Sequence, residues 1–325
     1  MNGRRRKGWI SPSTREFARE ARRTKGYTLF DWAHGYVYAR WPYLYIGIGT
    51  GEHRLVKTFG PLVGWIARRL PPRRPGVRER VQSAEAVSEG KPVKVTFADT
   101  YHGKVVPLQA ATQLVTVQEE IRIENLETII PYAKARDLIL KNPDHIAVLE
   151  CPCRASRPDP CLPLDVCLIV GEPFASFVVE HQPKRTRRIT QDEAVEILRA
   201  EDERGHVHHA FFKDAMLGRF YAICNCCSCC CGAMQAQRHG TLMLASSGDR
   251  AQVDEERCIG CGDCHEYCQF EALSLNEIHS VVDGEKCMGC GVCVSKCKQG
   301  ALALVRVSEK GEPLEIFELM GKAVK

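Results

Sequence analysis

The sequence predicts an α+β chain in which a small, internally repeated module is appended to the C-terminal side of an α/β Cys-rich domain. Three observations predict it. All 18 cysteines lie between Cys151 and Cys297, the spacing C-x2-C-x2-C-x3-C occurs twice near the end of the chain, and short β-rich runs mix with helical segments from residue 91 to residue 245. With 325 residues, 44% of them hydrophobic, the chain is long enough for two to three domains and too apolar for a disordered chain or a disulfide-stapled mini-protein.

The N-terminal quarter, residues 1–80, is basic and aromatic. It carries 18 Lys and Arg against 5 Asp and Glu, all four Trp (Trp9, Trp32, Trp41, Trp65) and half of the 24 aromatic residues, whereas residues 251–325 carry 8 against 13. Gly35–Gly47 alternates in places like a strand that Pro42 confines to an edge or splits. Pro61–Leu70 reads as a short amphipathic helix, and Pro71-Pro-Arg-Arg-Pro-Gly76 as a linker. Nucleic acid, a membrane surface and an acidic partner protein all suit such a segment. No helix-turn-helix, RNP or zinc-finger pattern supports the first, and no long amphipathic helix the second, although peripheral membrane contact stays open. Docking onto a partner subunit is the expectation, because Trp, Tyr and Arg anchor interfaces.

Residues 81–248 form the expected α/β Cys-rich domain. Val93–Phe97 is β-rich. Asn125–Lys141 has helically spaced apolar residues (Leu126, Ile129, Ile130, Ala133, Leu138, Ile139) with Pro131 at a helix start or kink. Asp144–Glu150 reads as a short buried strand running into Cys151-Pro-Cys-Arg154. Thr190-Gln-Asp-Glu193 is a capping box that opens a helix through Ala194, Val195, Ile197 and Leu198.

Residues 249–325 hold the repeated module and a tail. Cys258, Cys261, Cys264 and Cys268, then Cys287, Cys290, Cys293 and Cys297, repeat 29 residues apart, each set with Ala-Leu four residues after its last cysteine. Three thiolates at two-residue intervals line a tight loop around one face of a cube, and Gly260, Gly262, Gly289 and Gly291 let the backbone approach it. Zinc ligands come instead as separated C-x2-C pairs. Over residues 252–306 the chain resembles the bacterial dicluster 2[4Fe-4S] ferredoxins. The resemblance implies that the fourth thiolate comes from the other motif: Cys258, Cys261, Cys264 and Cys297 for one [4Fe-4S] cluster, and Cys287, Cys290, Cys293 and Cys268 for the other. Gln269 and Lys298 stand where that family places Pro after the fourth cysteine.

Ten cysteines remain: Cys151, Cys153, Cys161 and Cys167 in a Pro-rich segment, and Cys224, Cys226, Cys227, Cys229, Cys230 and Cys231 within eight residues. At such density, free thiols with pKa near 8.5 oxidise readily, so the set makes sense as metal ligands for one or two further Fe–S clusters. Buried apolar Cys plus a redox disulfide is the bland alternative. A Cys-Pro-Cys-Arg segment and an Ile-Cys-Asn-Cys-Cys-Ser-Cys-Cys-Cys segment ahead of a dicluster module resemble a class of ferredoxin-domain proteins of anaerobic bacteria, a resemblance that names no substrate.

Other signals are read as structure. Gly47-Ile-Gly-Thr-Gly51 is a turn, since Glu52 takes the place of the third glycine of a dinucleotide loop, and no P-loop occurs. His206, His208 and His209 read as a solvated helix end, and Arg154 and Arg157 as surface charges or as cations beside an anionic cluster. No 18-residue apolar run and no secretory leader are visible, so a cytoplasmic location is expected, with membrane association only through a complex. The expected function is one-electron transfer, as a subunit or partner of an anaerobic oxidoreductase, with a flavoprotein or catalytic subunit as redox partner. A reductase whose Cys151–Cys231 constellation holds an open-site cluster, and a thiol or metal redox sensor, are the competing readings.

Overall fold

The computed structural model describes residues 10–58, 101–132 and 136–323. The helix at Pro61–Leu70, the linker after it and the β-rich run at Val93–Phe97 lie outside the described residues.

Helices replace the strand expected at Gly35–Gly47. Helix α1 (Pro12–Arg23) starts at Ser11, whose hydroxyl accepts the Thr14 N–H, and α2 (Leu29–Arg40) starts at a capping box of Thr28 and Asp31. Pro42 does not split a strand. It opens α3 (Pro42–Gly49), where a first-turn proline costs no hydrogen bond. The aromatic spacing that mimics strand alternation is used helically: Trp32 packs on Tyr36 one turn later, and Tyr38 meets Tyr45 edge-on from α3. Over these residues the basic segment read as a docking arm is packed on the sheet. Phe17 is fully buried, edge-on to Phe174 and Phe177.

The core is an eight-stranded sheet of β1 (Tyr101–Val105), β2 (Ile121–Ile123), β3 (Leu138–Glu150), β4 (Asp165–Glu172), β5 (Thr186–Ile189), β6 (Val207–Lys213), β7 (Arg219–Cys226) and β8 (Leu244–Ala245). Its order is β2-β3-β4-β7-β6-β1-β8, with β5 beside the far half of β3; every pairing is antiparallel except β1 with β8. The strand expected at Asp144–Glu150 is the second half of β3. The helix expected over Asn125–Lys141 is absent among the described residues, where turns lead from β2 into β3.

Alternation along the strands divides the core. Ile146, Val148, Leu168, Val170, Ala210, Phe212 and Ile223 face α4 (Leu108–Thr116), α7 (Gln191–Glu203) and the C-terminal α11 (Ile316–Ala323). Ala147, Leu149, Cys167, Ile169, Phe211, Tyr221 and Cys226 face α1, α2 and α6 (Phe174–His181). Helix α7 begins as read, with the Thr190 hydroxyl accepting the Glu193 N–H.

The C-terminal module is two antiparallel ribbons, β9 (Asp249–Val253) with β12 (Leu302–Arg306) and β10 (Leu273–Leu275) with β11 (Ser280–Val282), plus the single turns α9 (Asp263–Glu266) and α10 (Val292–Lys296). It meets the sheet through Val292, Tyr267, Phe270, Met288 and Cys290 against Val105 and Val207.

Candidate metal centres

Within the module, each motif loop turns at two left-handed glycines. A Cβ on Gly260 would meet Ile278 O at 2.3 Å, and one on Gly289 would meet Asp249 O at 2.2 Å, so these two are fixed by the close passage of the protein's own backbone. Around Gly262 nothing lies within 4 Å of such a Cβ. Two small cavities of matching size result. Cys258, Cys261, Cys264 and Cys297 line one; Cys268, Cys287, Cys290 and Cys293 line the other.

The repeat extends to sulfur hydrogen bonds. Ala272 N–H donates to Cys268 Sγ and Ala301 N–H to Cys297 Sγ, both at 3.2 Å, from equivalent positions four residues on. Such bonds stabilise a thiolate and tune a metal behind it. Burial pushes the Cys290 thiol up to about 12 and raises Cys293 as well, so without a cation in the cavity these two stay protonated. A cavity lined by four thiols, with backbone N–H groups aimed at the sulfurs, fits an iron–sulfur cluster. The environments differ. Ile259, Leu275, Ile278 and Cys261 around the first cavity are exposed, whereas Cys290 beside the second packs against the sheet.

The ten upstream cysteines sort differently in space than in sequence. Cys151 at the end of β3, Cys153 in α5 (Pro152–Ala155), Cys167 on β4, Cys224 and Cys226 on β7, and Cys231 at the start of α8 (Gly232–Arg238) form one mostly buried chain of thiol contacts. Cys151 touches Cys153 and Cys167, Cys167 touches Cys224, and Cys231 touches Cys153 and Cys226. Thiol neighbours and burial raise Cys151 to about 12. The second group is Cys161, Cys227, Cys229 and Cys230, whose sulfurs all lie within 4.8 Å of one another. Each group draws on both sequence segments.

Around the thiols the structure overturns three surface readings. Arg154 is 1% exposed. Its guanidinium donates to Glu201 Oε2 (2.6 Å), Pro163 O (2.5 Å) and Asn225 O (3.0 Å), tying the Cys-Pro-Cys-Arg turn to β7 between Cys224 and Cys226. Burial would raise the Glu201 carboxyl, but His206 and Arg154 outweigh it and hold the group below the usual carboxylate range. Arg157 pairs with Glu52 (2.5 Å) and Gln235 (2.6 Å) and is itself largely covered. His206, His208 and His209 are not a solvated helix end. They are buried at the start of β6 and just before it, His206 on Glu201 (2.7 Å) and His208 on Asn225 Oδ1 (2.6 Å). His209 stands opposite Cys224 in the β6–β7 register, and burial depresses its pKa to about 3, so it is neutral.

The N-terminal helices border this site: Tyr43 donates to Glu150 O (3.0 Å), next to Cys151, and α3 packs on α5. Sequence reasoning singled out Gln269 and Arg154 but not the contacts they make. The Gln269 amide accepts the Ser228 N–H (2.9 Å) and donates to Gly205 O (3.0 Å), joining the residue after Cys268 to the residue between Cys227 and Cys229.

Among the described residues no helix is long and apolar enough to cross a membrane. No curated protein and no solved structure matches the chain. Residues 251–304 match a family described as a 4Fe-4S dicluster domain. With that match, the repeated thiol cavities make this chain an iron–sulfur protein with a ferredoxin-like 4Fe-4S domain at its C-terminal end.

Proposed function

We propose that the chain relays single electrons as a subunit or dedicated partner of an oxidoreductase. Two [4Fe-4S] clusters sit in the module, one on Cys258, Cys261, Cys264 and Cys297 and one on Cys287, Cys290, Cys293 and Cys268, and the upstream thiols hold the next centres along the path. The observation that carries this reading is the succession of contacts between the thiol sites. One cavity is rimmed by exposed apolar side chains, the other is packed on the sheet, and the upstream thiols lie beyond it across the Gln269–Ser228 hydrogen bond. Clusters supply one-electron chemistry at fixed positions, and the protein sets their spacing and potentials.

Exposed Asp254, Glu255, Glu256 and Glu277 give the outer end acidic character, which suits a basic docking face on a mobile donor or flavoprotein. A location in the cytoplasm, with any membrane contact made through a complex, fits this role.

The test is anaerobic purification of the full chain with iron and sulfide counts, then EPR during a reductive titration. Eight or more irons per chain with paired, magnetically interacting S = 1/2 signals are expected for two neighbouring [4Fe-4S] clusters. Zinc in place of iron, or iron without sulfide, would overturn the relay.

A further inference from the structure

We propose that Cys161, Cys227, Cys229 and Cys230 bind one iron ion in a tetrahedral all-thiolate site, separate from the six-thiol group and from the module's clusters. In this site Fe3+ takes one electron from a reduced [4Fe-4S] cluster of the module, which is thereby oxidised, and the Fe2+ so formed returns to Fe3+ by reducing an oxidised centre on the six-thiol group. The metal-site geometry stands alone; the redox role rests on the relay proposed above.

Size is the first argument. Four sulfurs on one metal at about 2.3 Å stand about 3.8 Å apart. Here Cys161 Sγ lies 3.0 Å from Cys229 Sγ, Cys229 Sγ lies 3.7 Å from Cys230 Sγ, and all four fall within 4.8 Å. The thiolates of a cubane each bind a different iron at a different corner, so they stand wider apart. The same molecule supplies the comparison. Among the described residues, neither the eight module cysteines nor the six-thiol group forms a set of three or more sulfurs as compact as this one.

The second argument is that the protein's own hydrogen bonds shape the loop. A turn closed by Cys231 N–H to Cys227 O (3.0 Å) gathers three of the thiols. Gln235 donates to Cys229 O (2.7 Å), and Arg157 reaches Cys230 O (3.4 Å) while held by Glu52 and Gln235. Hydrogen bonds of this kind orient ligands at metal sites, and the Arg157 cation offsets part of the excess negative charge that four thiolates leave on an iron.

The third argument selects iron over zinc, which has no redox chemistry. Gln269 follows Cys268 in the chain and accepts the N–H of Ser228, whose two neighbours are Cys227 and Cys229. A path of covalent bonds and one hydrogen bond therefore joins the inner module cavity to this site.

The experiment uses the full chain, labelled with 57Fe and purified anaerobically. Mössbauer spectra should show one mononuclear FeS4 iron per chain beside the cluster signals, and iron should exceed acid-labile sulfide by one. In Cys161→Ala, at a half-exposed loop position, that single iron should be lost while sulfide and the EPR of the reduced clusters stay at wild-type level. The wild-type spectrum decides the matter even if the variant misfolds. Absence of the FeS4 signal, one zinc per chain, or iron and sulfide falling together in Cys161→Ala would each overturn the proposal. Sulfide-bearing clusters without the extra iron would sink this site and leave the relay standing; the extra iron without any sulfide would do the reverse.

Discussion

Replacing Arg154 should unfasten the upstream thiols and leave the module's centres in place. Arg154 and Glu201 are an ion pair whose side chains are each 1% exposed, so Arg154→Ala takes the buried guanidinium from a buried carboxylate, leaving it the Arg204 and His206 contacts, and also removes the donors to Pro163 O and Asn225 O. Breaking one side of such a pair costs about 3–5 kcal/mol. At about 2–4 °C per kcal/mol for a domain of this size, the melting midpoint should fall by about 6–20 °C. The bonds run from the residue after Cys153 to the residue between Cys224 and Cys226, so the same change should lower iron bound upstream while cluster EPR from the module persists. Arg154→Lys keeps the charge and loses the planar fork, and should fall between the two. Arg154→Met with Glu201→Met removes both charges and should recover much of the midpoint. The assay is anaerobic thermal melting by circular dichroism with iron and sulfide counts on the same samples. An Arg154→Ala protein that melts within about 2 °C of wild type and keeps all its iron would refute the reasoning, since the error of the expectation is smaller than that gap.

Cys297→Ser should perturb the centre lined by Cys258, Cys261 and Cys264 and spare the other; the reverse pattern in EPR would sink the crossed ligand assignment. Gln269→Ala removes two neutral hydrogen bonds, worth about 1–3 kcal/mol together, so the Ser228 amide should exchange with solvent faster by fivefold or more, and unchanged exchange would show that the contact is not held in solution. Acid should loosen α1 in two steps. Burial and the Arg40 guanidinium hold the His181 imidazole below its ordinary value, so the unfolded chain takes the proton first and stability falls as pH drops below about 6.5. Burial would raise the Glu20 carboxyl, but Lys141 and Arg219 outweigh it, so its contribution is present above about 4.3 and lost as pH falls through its lower folded value. Hydrogen exchange in α1 that stays flat from pH 7.5 to about 2 after intrinsic-rate correction would contradict both.

The eight module cysteines were legible because their spacing is local: the loop that the cluster needs is written within eleven residues of sequence. The upstream ten were legible as a concentration of thiols and illegible as sets, because strand order decides which thiols meet. Cys167 reaches Cys224 only because β4 lies beside β7, and Cys161 reaches Cys229 across 68 residues. One local signal was available. In Ile223-Cys-Asn-Cys226 a two-residue period puts Cys224 and Cys226 on one face and Asn225 on the other, as the structure has them, while Cys227 to Cys230 lie past the strand's end. The same period, read into Gly35–Gly47, misled, since aromatic residues at i and i+2 also occur on helices, as Tyr36 and Tyr38 do on α2. His206, His208 and His209 were misplaced because their polarity was weighed alone, although Glu201 and Asn225 satisfy two of them inside the core.

The repeat is most informative where its two copies diverge. Gln269 and Lys298 occupy the same position, 29 residues apart, and a proline at either would leave no side-chain donor. Gln269 turns inward and spends both ends of its amide on the sheet domain, at Gly205 O and Ser228 N. Lys298 turns outward and meets Asp263 at 3.2 Å on the exposed surface, where solvent screening leaves an ion pair little weight. Stability therefore explains the first residue and not the second. What Lys298 does supply is a cation on the rim of the outer cavity, on the side of Cys261, among Ile259 and the acidic residues there. The first copy of the repeat thus carries the residue that fastens the module to the sheet domain, and the second copy carries an exposed cation at the rim of the outer cavity. On the relay proposed above, the fastened side would be its fixed contact and the exposed side the place where an exchangeable partner docks, an asymmetry built from a single residue in each half.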